Sequence, residues 1–139
     1  MQQTFTKAMA RNIFLGGAAF FLVIYLVLTV DSWRQIPIRD NAAEMSPAAV
    51  RGKYLMDSNN CIGCHTINGE GAYYAPELGN VYTRRGPDFI KAWIKAQPIG
   101  GHRQMPHFNF SDRDLDDITA YLQWVSHINT NHWPPNLQG

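Results

Sequence analysis

Two cysteines and a histidine stand close together in the middle of the chain, in the order Cys61-Ile62-Gly63-Cys64-His65. Cysteines three positions apart on a tight turn can each add across a vinyl group of haem, which forms two thioether bonds. The histidine that follows is then held beneath the porphyrin, where an imidazole nitrogen can bind the iron. This is the c-type haem attachment spacing, so it predicts one covalent haem c with His65 as an axial iron ligand.

Two other chemistries use cysteine pairs at this spacing. A thioredoxin-like redox pair lies near a βαβ pattern, which this sequence does not show. A structural zinc site needs four Cys or His ligands, whereas the chain has two cysteines, and no histidine pair follows them at the distance found in zinc fingers. Covalent haem is therefore the favoured interpretation, and a dithiol or metal-binding protein is the competing class.

The ligand on the other face of the iron decides between electron transfer and substrate chemistry. Met105 lies forty residues after His65 in a glycine-rich segment, and Pro106 favours an extended backbone at Met105. Such a loop can cross the second haem face, so Met105 is the predicted ligand, with His102 and His107 as alternatives. The other candidates are expected to lie in the core or on the surface: Met56, His127 and His132.

Ligation by His and Met leaves no open iron position and suits an electron carrier, so no catalytic residue is predicted.

The second ring nitrogen of His65 needs a hydrogen-bond acceptor of its own. Such a partner fixes the tautomer and the orientation of a metal-binding histidine. We expect the acceptor to be a backbone carbonyl in residues 75–78, at Pro76, which lies eleven residues after His65.

An uncharged segment of eighteen residues, Ile13 to Val30, precedes these motifs. As a helix it would span about 27 Å, close to the ~30 Å hydrocarbon core of a bilayer. A signal-peptide core is shorter and is followed by a small-residue cleavage site, but here residues 31–35 (DSWRQ) follow, and Trp33 suits a membrane interface. We therefore predict a short N-terminal segment, 1–12, and an uncleaved transmembrane helix, 13–30; a buried helix of a soluble protein is the alternative.

The next segment has no regular pattern until a helix start at Ser46. Residues 31–45 lack hydrophobic periodicity and contain Pro37, which predicts an irregular stalk. Ser46-Pro47 then has the form of an N-cap followed by proline at the first helical position, and the helix is expected to run to about Ser58. Its inward-facing residues are predicted to be Val50, Tyr54 and Leu55.

Two further helices are predicted in the second half of the chain. Gly86-Pro87 starts one that runs to about Gln97, and Ser111 with Asp114 resembles a capping box at the start of another. The apolar residues of the first are Phe89, Ile90, Trp93 and Ile94. Those of the second share one helical face and are Leu115, Ile118, Leu122 and Val125.

Length and charge limit what these elements can form. A chain of 139 residues has room for one small domain, and a net charge of +1 without a basic cluster gives no sign of nucleic-acid binding. Without a convincing strand or internal repeat, we predict an all-α domain over residues 46–128 that folds around the haem, followed by a C-terminal tail, 129–139.

These features together resemble a class I cytochrome c over residues 46–128. A narrower resemblance lies in residues 64–78 (CHTINGEGAYYAPEL), which are similar to the small cytochrome c subunit of respiratory nitric oxide reductase. The single N-terminal membrane segment, the short stalk and residues 104–108 (QMPHF) fit the same family.

The resemblance implies a function in anaerobic, denitrifying respiration. Such a subunit takes electrons from a soluble cytochrome c or a cupredoxin and passes them to haem b in a large multi-span subunit. There, haem b3 and a non-haem iron reduce two NO molecules to nitrous oxide and water, so the small subunit is not an enzyme on its own. The alternative is a membrane-tethered cytochrome c shuttle, or a cytochrome subunit of a haem–copper oxygen reductase.

The resemblance also implies a second metal and a location. It implies a calcium ion at the subunit interface, for which the backbone carbonyls of Gly71 and Tyr73 are candidate ligands of the hard-oxygen type. It implies a single-pass protein of the bacterial cytoplasmic membrane with a periplasmic haem domain. Lys7 and Arg11 before the membrane segment are in keeping with a cytoplasmic N-terminus.

Overall fold

The structure, a computed structural model, describes residues 5–96 and 105–133. The chain forms two compact units, which meet in sequence between Ile38 and Arg39. Helix α1 (Lys7–Arg39) makes up the first unit and has no buried residue. By length and composition it can cross a membrane, and the predicted segment 13–30 lies inside it.

Helix α1 extends well beyond the predicted membrane segment. Residues 31–39 were expected to be irregular, and this prediction was wrong, because they continue the helix before a 3-10 turn at Ala42–Glu44. A helix with no buried face has no reason to show hydrophobic periodicity. Pro37 removes a backbone hydrogen bond only in the last turn, and α1 ends two residues later, where the disruption matters least.

Four helices and one short hairpin form the second unit. They are α2 (Pro47–Ser58), β1 (Thr66–Ile67), β2 (Glu70–Gly71), α3 (Val81–Arg85), α4 (Pro87–Lys95) and α5 (Asp112–Ser126). The three predicted helix starts are confirmed: Ser46 caps α2, Pro87 opens α4, and Ser111 forms the capping box with Asp114. The predicted end of α4 at Gln97 lies outside the described residues.

Helix α2 packs on α5 through small residues. Val50 and Tyr54 were expected to face the core, but they are 53% and 72% exposed, and only Leu55 of that predicted face packs against it. The buried residues are Ala49, Gly52 and Met56. A Cβ at Gly52 would lie 2.5 Å from the carbonyl carbon of Asp117 and 2.9 Å from the nitrogen of Ile118. Close backbone contact at Gly52, rather than the bulk of Val50 and Tyr54, therefore decides which face is buried.

An ion pair crosses the same contact. Arg51 donates from Nε and Nη2 to the two carboxylate oxygens of Asp117, at 2.7 and 2.6 Å. The hydrogen bond to Asp117 raises the pKa of Arg51, against a smaller opposing effect of desolvation. Neither the burial of Asp117 nor its partner on α2 was predicted. The predicted apolar face of α5 is confirmed, since its four members are all buried: Leu115, Ile118, Leu122 and Val125.

The end of α5 also holds the segment that follows α1. Trp124 donates from Nε1 to the carbonyl oxygen of Asn41 at 3.0 Å, and Asn41 donates from Nδ2 to the carbonyl of His127 at 2.8 Å. The amide of Asn129 donates to the carbonyl of Arg39 at 2.9 Å. These three bonds fix the start of the second unit against its last helix.

The hairpin was not predicted. β1 pairs antiparallel with β2, and the two-residue turn between them is Asn68-Gly69. Both turn residues have positive φ, 51° and 84°, as a type I′ turn requires, and Asn-Gly is the preferred dipeptide for it. Strands of two residues are too short to show alternation, so the expectation of a mainly helical fold stands and only this small hairpin is added.

Candidate haem site

The turn after α2 presents both cysteines. Helix α2 ends at Ser58 with Asn59 as its C-cap, Asn60 adopts a left-handed conformation with φ of 54°, and a 3-10 turn follows at Cys61–Gly63. The amides of Cys64 and His65 both donate to the carbonyl of Cys61, at 3.2 and 3.0 Å. The two cysteines do not form a disulfide, and burial, followed by the charge of Asp57, raises the pKa of the Cys61 thiol before any haem is attached. The motif is thus held as one compact turn.

His65 is oriented by a backbone acceptor. Its Nδ1 lies 2.7 Å from the carbonyl oxygen of Pro76. A carbonyl can only accept, so Nδ1 carries the proton and Nε2 is the nitrogen left for a metal. The amide of Ala75 donates to the carbonyl of Cys64, and the amide of Leu78 donates to the carbonyl of Thr66, both at 2.8 Å. Residues 75–78 are therefore hydrogen-bonded to the two residues that flank His65, Cys64 and Thr66.

An apolar cavity of about 80 Å³, partly open to solvent, lies beside this histidine. Its wall is formed by Met56, Cys61, His65, Leu78, Val81, Phe89, Ile90, Trp93, Ile94, Met105, Phe108, Phe110, Ile118 and Leu122. Phe89 and Trp93, two of the apolar residues predicted on α4, are partly exposed and stack on each other with ring centroids 5.6 Å apart. Both side chains line the cavity.

A second cavity lies beside the first. It shares five wall residues with the apolar cavity: Cys61, His65, Trp93, Met105 and Phe108. Cys64 and Pro76 line this second cavity. The structure therefore places both cysteines, His65, its carbonyl partner and Met105 around two cavities with shared walls.

The alternative iron ligands lie in other places. His107 is exposed and lines neither cavity, and His102 lies outside the described residues. Met56 is buried in the core, while His127 and His132 are exposed, as predicted. Among the described candidates, Met105 and Met56 share the apolar cavity with His65, and Met105 also lines the second cavity.

Gly71 and Tyr73 lie beside the haem-attachment turn. Gly71 has φ of 118°, and a Cβ there would lie 2.9 Å from the carbonyl oxygen of Ile62 and still closer to that of His65. Glycine is required by this close approach. Tyr73 is 78% exposed. In residues 5–96 and 105–133 no three His, Cys, Asp or Glu side chains come together to hold a metal ion, so a calcium site here would depend on carbonyl oxygens.

Glu77 is a buried acid that sequence reasoning missed. Its side chain accepts the amide protons of Asn68 at 2.7 Å, Gly69 at 3.3 Å and Gly79 at 2.8 Å. The residue is 5% exposed. Burial opposes ionisation, but the hydroxyl of Thr66 and these three N–H groups outweigh it and lower the pKa of Glu77. The only sequence signals are the glycines at 69 and 79, which do not by themselves indicate a buried carboxylate.

The lowered pKa of Glu77 predicts an acid-sensitive fold. A carboxylate whose folded pKa lies below its unfolded value, about 4.3, contributes stability in full above that value. The contribution is lost as pH falls through the lowered folded pKa. We expect the melting temperature of the full chain to fall as the pH drops below about 4.3, and to fall less in Glu77→Gln. Soret circular dichroism of the two proteins against pH measures this; parallel pH profiles would contradict the assignment.

Known proteins match the chain over its domain and over its length. The cytochrome c family model matches residues 49–126. The C subunit of nitric oxide reductase from Stutzerimonas stutzeri is 53% identical, and the one from Paracoccus denitrificans is 44% identical, each over the whole of both chains. Cytochrome c oxidase subunit 2 of Alkalihalophilus pseudofirmus is 25% identical over 67% of this chain and 30% of its own length.

Identity at this level over full length goes beyond a shared domain. A domain match alone covers the part that holds the haem motif and α5, whereas the two nitric oxide reductase relatives also align with α1 and the segment that follows it. The chain therefore belongs to the family of nitric oxide reductase C subunits, with a cytochrome c domain as its second unit.

Proposed function

We propose that this chain is the electron-entry subunit of a nitric oxide reductase. It would take electrons from a soluble periplasmic cytochrome c or cupredoxin and pass them to haem b in a large catalytic subunit that reduces NO to nitrous oxide. One observation carries the proposal: Cys61, Cys64, His65 and Met105 line two cavities that share wall residues, in a chain of this family. Haem c, when bound, supplies a one-electron couple between ferrous and ferric iron.

The residues present fit such a group. The apolar wall suits a porphyrin face. Cys61 lines both cavities and Cys64 lines the second, and neither cysteine is in a disulfide. Two thiols at this spacing can form the two thioethers of a haem c.

In this proposal, the chain's own residues attach the haem, bind its iron and shield it from water. Cys61 and Cys64 would form the thioethers, and His65 would offer Nε2 to the iron because its Nδ1 proton is donated to Pro76. Met105 would offer its thioether sulfur as a further ligand. Phe89 and Trp93 would cover the cavity edge and exclude water, and they are exposed enough to meet a docking donor. Haem c held by His65 and Met105 would supply electron transfer without an open position for a substrate, so the chain would carry electrons and leave NO chemistry to its partner.

The proposed location and partners follow the family. Helix α1 would anchor the chain in the bacterial cytoplasmic membrane, with the N-terminus in the cytoplasm and residues after the membrane segment in the periplasm. The large subunit would contain haem b, haem b3 and non-haem iron.

Calcium would lie at the shared interface, bound through the carbonyls of Gly71 and Tyr73. Metal analysis of the intact complex, prepared without chelators, tests this proposal. A complex that contains no calcium would rule out the calcium site.

A single thiol substitution tests the haem attachment. Cys64→Ser leaves one cysteine able to form a thioether, so we expect the fraction of haem that survives acid–acetone extraction to fall, while Cys61 still holds part of it. The pyridine haemochrome spectrum should shift toward that of a haem with one unsaturated vinyl group. Ser58→Ala is a matched control, because its exposed hydroxyl lies outside the cavity wall. Normal haem retention in Cys64→Ser would be incompatible with the assignment.

The function itself is tested on the gently solubilised complex. We expect the complex that co-purifies with this chain to consume NO with a reduced donor cytochrome and to produce nitrous oxide. Activity should be lost when the chain is removed, and should return with the wild-type chain but not with Cys61→Ser/Cys64→Ser. A complex that reduces oxygen and leaves NO untouched would instead assign the chain to an oxygen reductase, the weaker candidate that the oxidase match supports.

A further inference from the structure

A buried carboxylate that the proposed electron transfer does not use lies next to the carbonyl that orients His65. Pro76 accepts the Nδ1 proton of His65, and the following residue is Glu77. The strength of that hydrogen bond sets how basic the imidazole is as an iron ligand. Whatever fixes the peptide unit between Pro76 and Glu77 therefore acts on the iron through His65.

Both the side-chain carboxylate and the backbone carbonyl of Glu77 accept hydrogen bonds. Its carboxylate accepts the N–H groups of Asn68 and Gly69 at the tip of the hairpin and that of Gly79 two residues on. Its backbone carbonyl accepts from Arg84 on α3. Three N–H donors to one buried carboxylate are charge-assisted bonds, stronger than neutral ones. The carboxylate thus joins the turn after the haem motif to the start of the segment leading to α3.

The surrounding backbone is shaped to accept this carboxylate. Asn68 and Gly69 have φ of 51° and 84°, a turn in which consecutive N–H groups point to the same side and can bind one anion. At Gly79, a Cβ would lie 2.9 Å from Glu77 Oε1 and would also press on the Asn68 side chain. Gly79 therefore leaves room for the carboxylate, and Gly69 allows the turn that presents its N–H.

We infer that Glu77 is a positioning residue for the axial histidine: its carboxylate, tied to Asn68, Gly69 and Gly79, holds the Pro76 carbonyl against Nδ1 of His65 and so tunes the haem. The inference rests on the proposed function, because it requires His65 to bind haem iron. It assigns Glu77 a role in setting the reduction potential of the haem, in addition to its hydrogen bonds with the hairpin turn and Gly79.

The direction of the effect follows from the hydrogen bond. Donation from Nδ1–H to a well-placed carbonyl makes the imidazole a stronger donor to the iron and favours the ferric form. When the carbonyl is less well held, ligand basicity falls and the potential rises. Loss of the negative charge of Glu77 would raise the potential as well, so the test must separate position from charge.

Three substitutions separate the two causes in the full haem-containing chain in detergent. Glu77→Asp keeps the charge but is one methylene shorter, so it cannot reach all three N–H groups. Glu77→Gln keeps the length and loses the charge. Gly79→Ala keeps Glu77 and displaces its carboxylate. Glu70→Gln removes an exposed charge from β2 as the control.

The readouts are the reduction potential, the proton resonance of His65 Nδ1–H in the reduced protein, and amide exchange at Asn68 and Gly79. We expect Glu77→Asp, Glu77→Gln and Gly79→Ala all to raise the potential and move the His65 resonance upfield. Exchange of the two amides should become about tenfold faster, as expected for the loss of a hydrogen bond to a charged group. Glu70→Gln should leave all three unchanged.

The outcomes decide the inference. A wild-type potential in Glu77→Asp with a raised one in Glu77→Gln would mean that the carboxylate acts by charge alone. An unmoved His65 resonance in every variant would reduce Glu77 to a structural role. If the variants do not accumulate as folded protein, amide exchange is measured in the wild-type chain instead. Slow exchange at Asn68, Gly69 and Gly79 supports the positioning role of Glu77, and fast exchange overturns it. Covalent haem, measured by the pyridine haemochrome, is read separately, so its absence would count against the proposed function instead.

Discussion

Met105→Ala is expected to convert the iron from six-coordinate to five-coordinate. Among the described residues, two sulfur-containing side chains line both cavities beside His65, those of Cys61 and Met105. The substitution removes the sulfur of Met105. The reduced protein, which should not bind carbon monoxide with Met105 in place, should then bind it stoichiometrically. Because methionine ligation raises the potential of a histidine-bound haem, the potential should fall, on the order of 100 mV or more within the ~0.8 V that axial ligands control. Optical titration with carbon monoxide and redox titration measure both effects.

The controls for Met105→Ala are the competing ligands. His107→Ala should leave the spectrum and the potential unchanged, since His107 is exposed and lines neither cavity. His102→Ala tests the alternative that lies outside the described residues. Met56→Leu preserves an apolar side chain of similar volume in the cavity wall and should keep the iron six-coordinate. An unchanged spectrum in Met105→Ala, with a changed one in any of these three, would move the sixth ligand to that residue.

The haem motif could be predicted from sequence because its chemistry is local. Cys61, Cys64 and His65 act through spacing along a single turn, so their types and order are sufficient evidence. The start of α5 was predicted for the same reason, since the bond from the Asp114 amide to Ser111 Oγ spans three residues. The Pro76 acceptor was placed by the need of His65 for a partner, and the structure has that contact at 2.7 Å.

The predictions that failed depend on contacts between distant segments. Which face of α2 is buried is decided by how closely α5 approaches Gly52, and hydrophobicity along α2 alone pointed to Val50 and Tyr54. The burial of Asp117 depends on Arg51, sixty-six residues away. The hairpin was missed for a different reason: its signal was Asn68-Gly69, a dipeptide with a specific turn preference, between strands too short to show a pattern.

Gly52→Ala is expected to destabilise the haem domain strongly. An alanine in the middle of a helix is ordinarily more stable than glycine by roughly 0.5–1 kcal/mol, so the substitution would stabilise an isolated α2. Here the added methyl would lie 2.5 Å from the carbonyl carbon of Asp117 and 2.9 Å from the nitrogen of Ile118, which are backbone atoms that cannot rotate away. Overpacking of this kind costs about 1–3 kcal/mol and sometimes more. We expect the melting temperature to fall by on the order of 10 °C.

The matched control is Gly16→Ala in α1, where nothing in the structure lies within 4 Å of the added Cβ. In the isolated chain it should leave the melting temperature of the haem domain unchanged. The strain at Gly52 should also reach the haem, because Met56 lies one turn further along the same face of α2 and lines the cavity. A shift of α2 away from α5 would move that wall, so the Soret spectrum of folded Gly52→Ala should differ from wild type. A wild-type melting temperature would show that the two helices separate easily, and that close packing at Gly52 does not support the site.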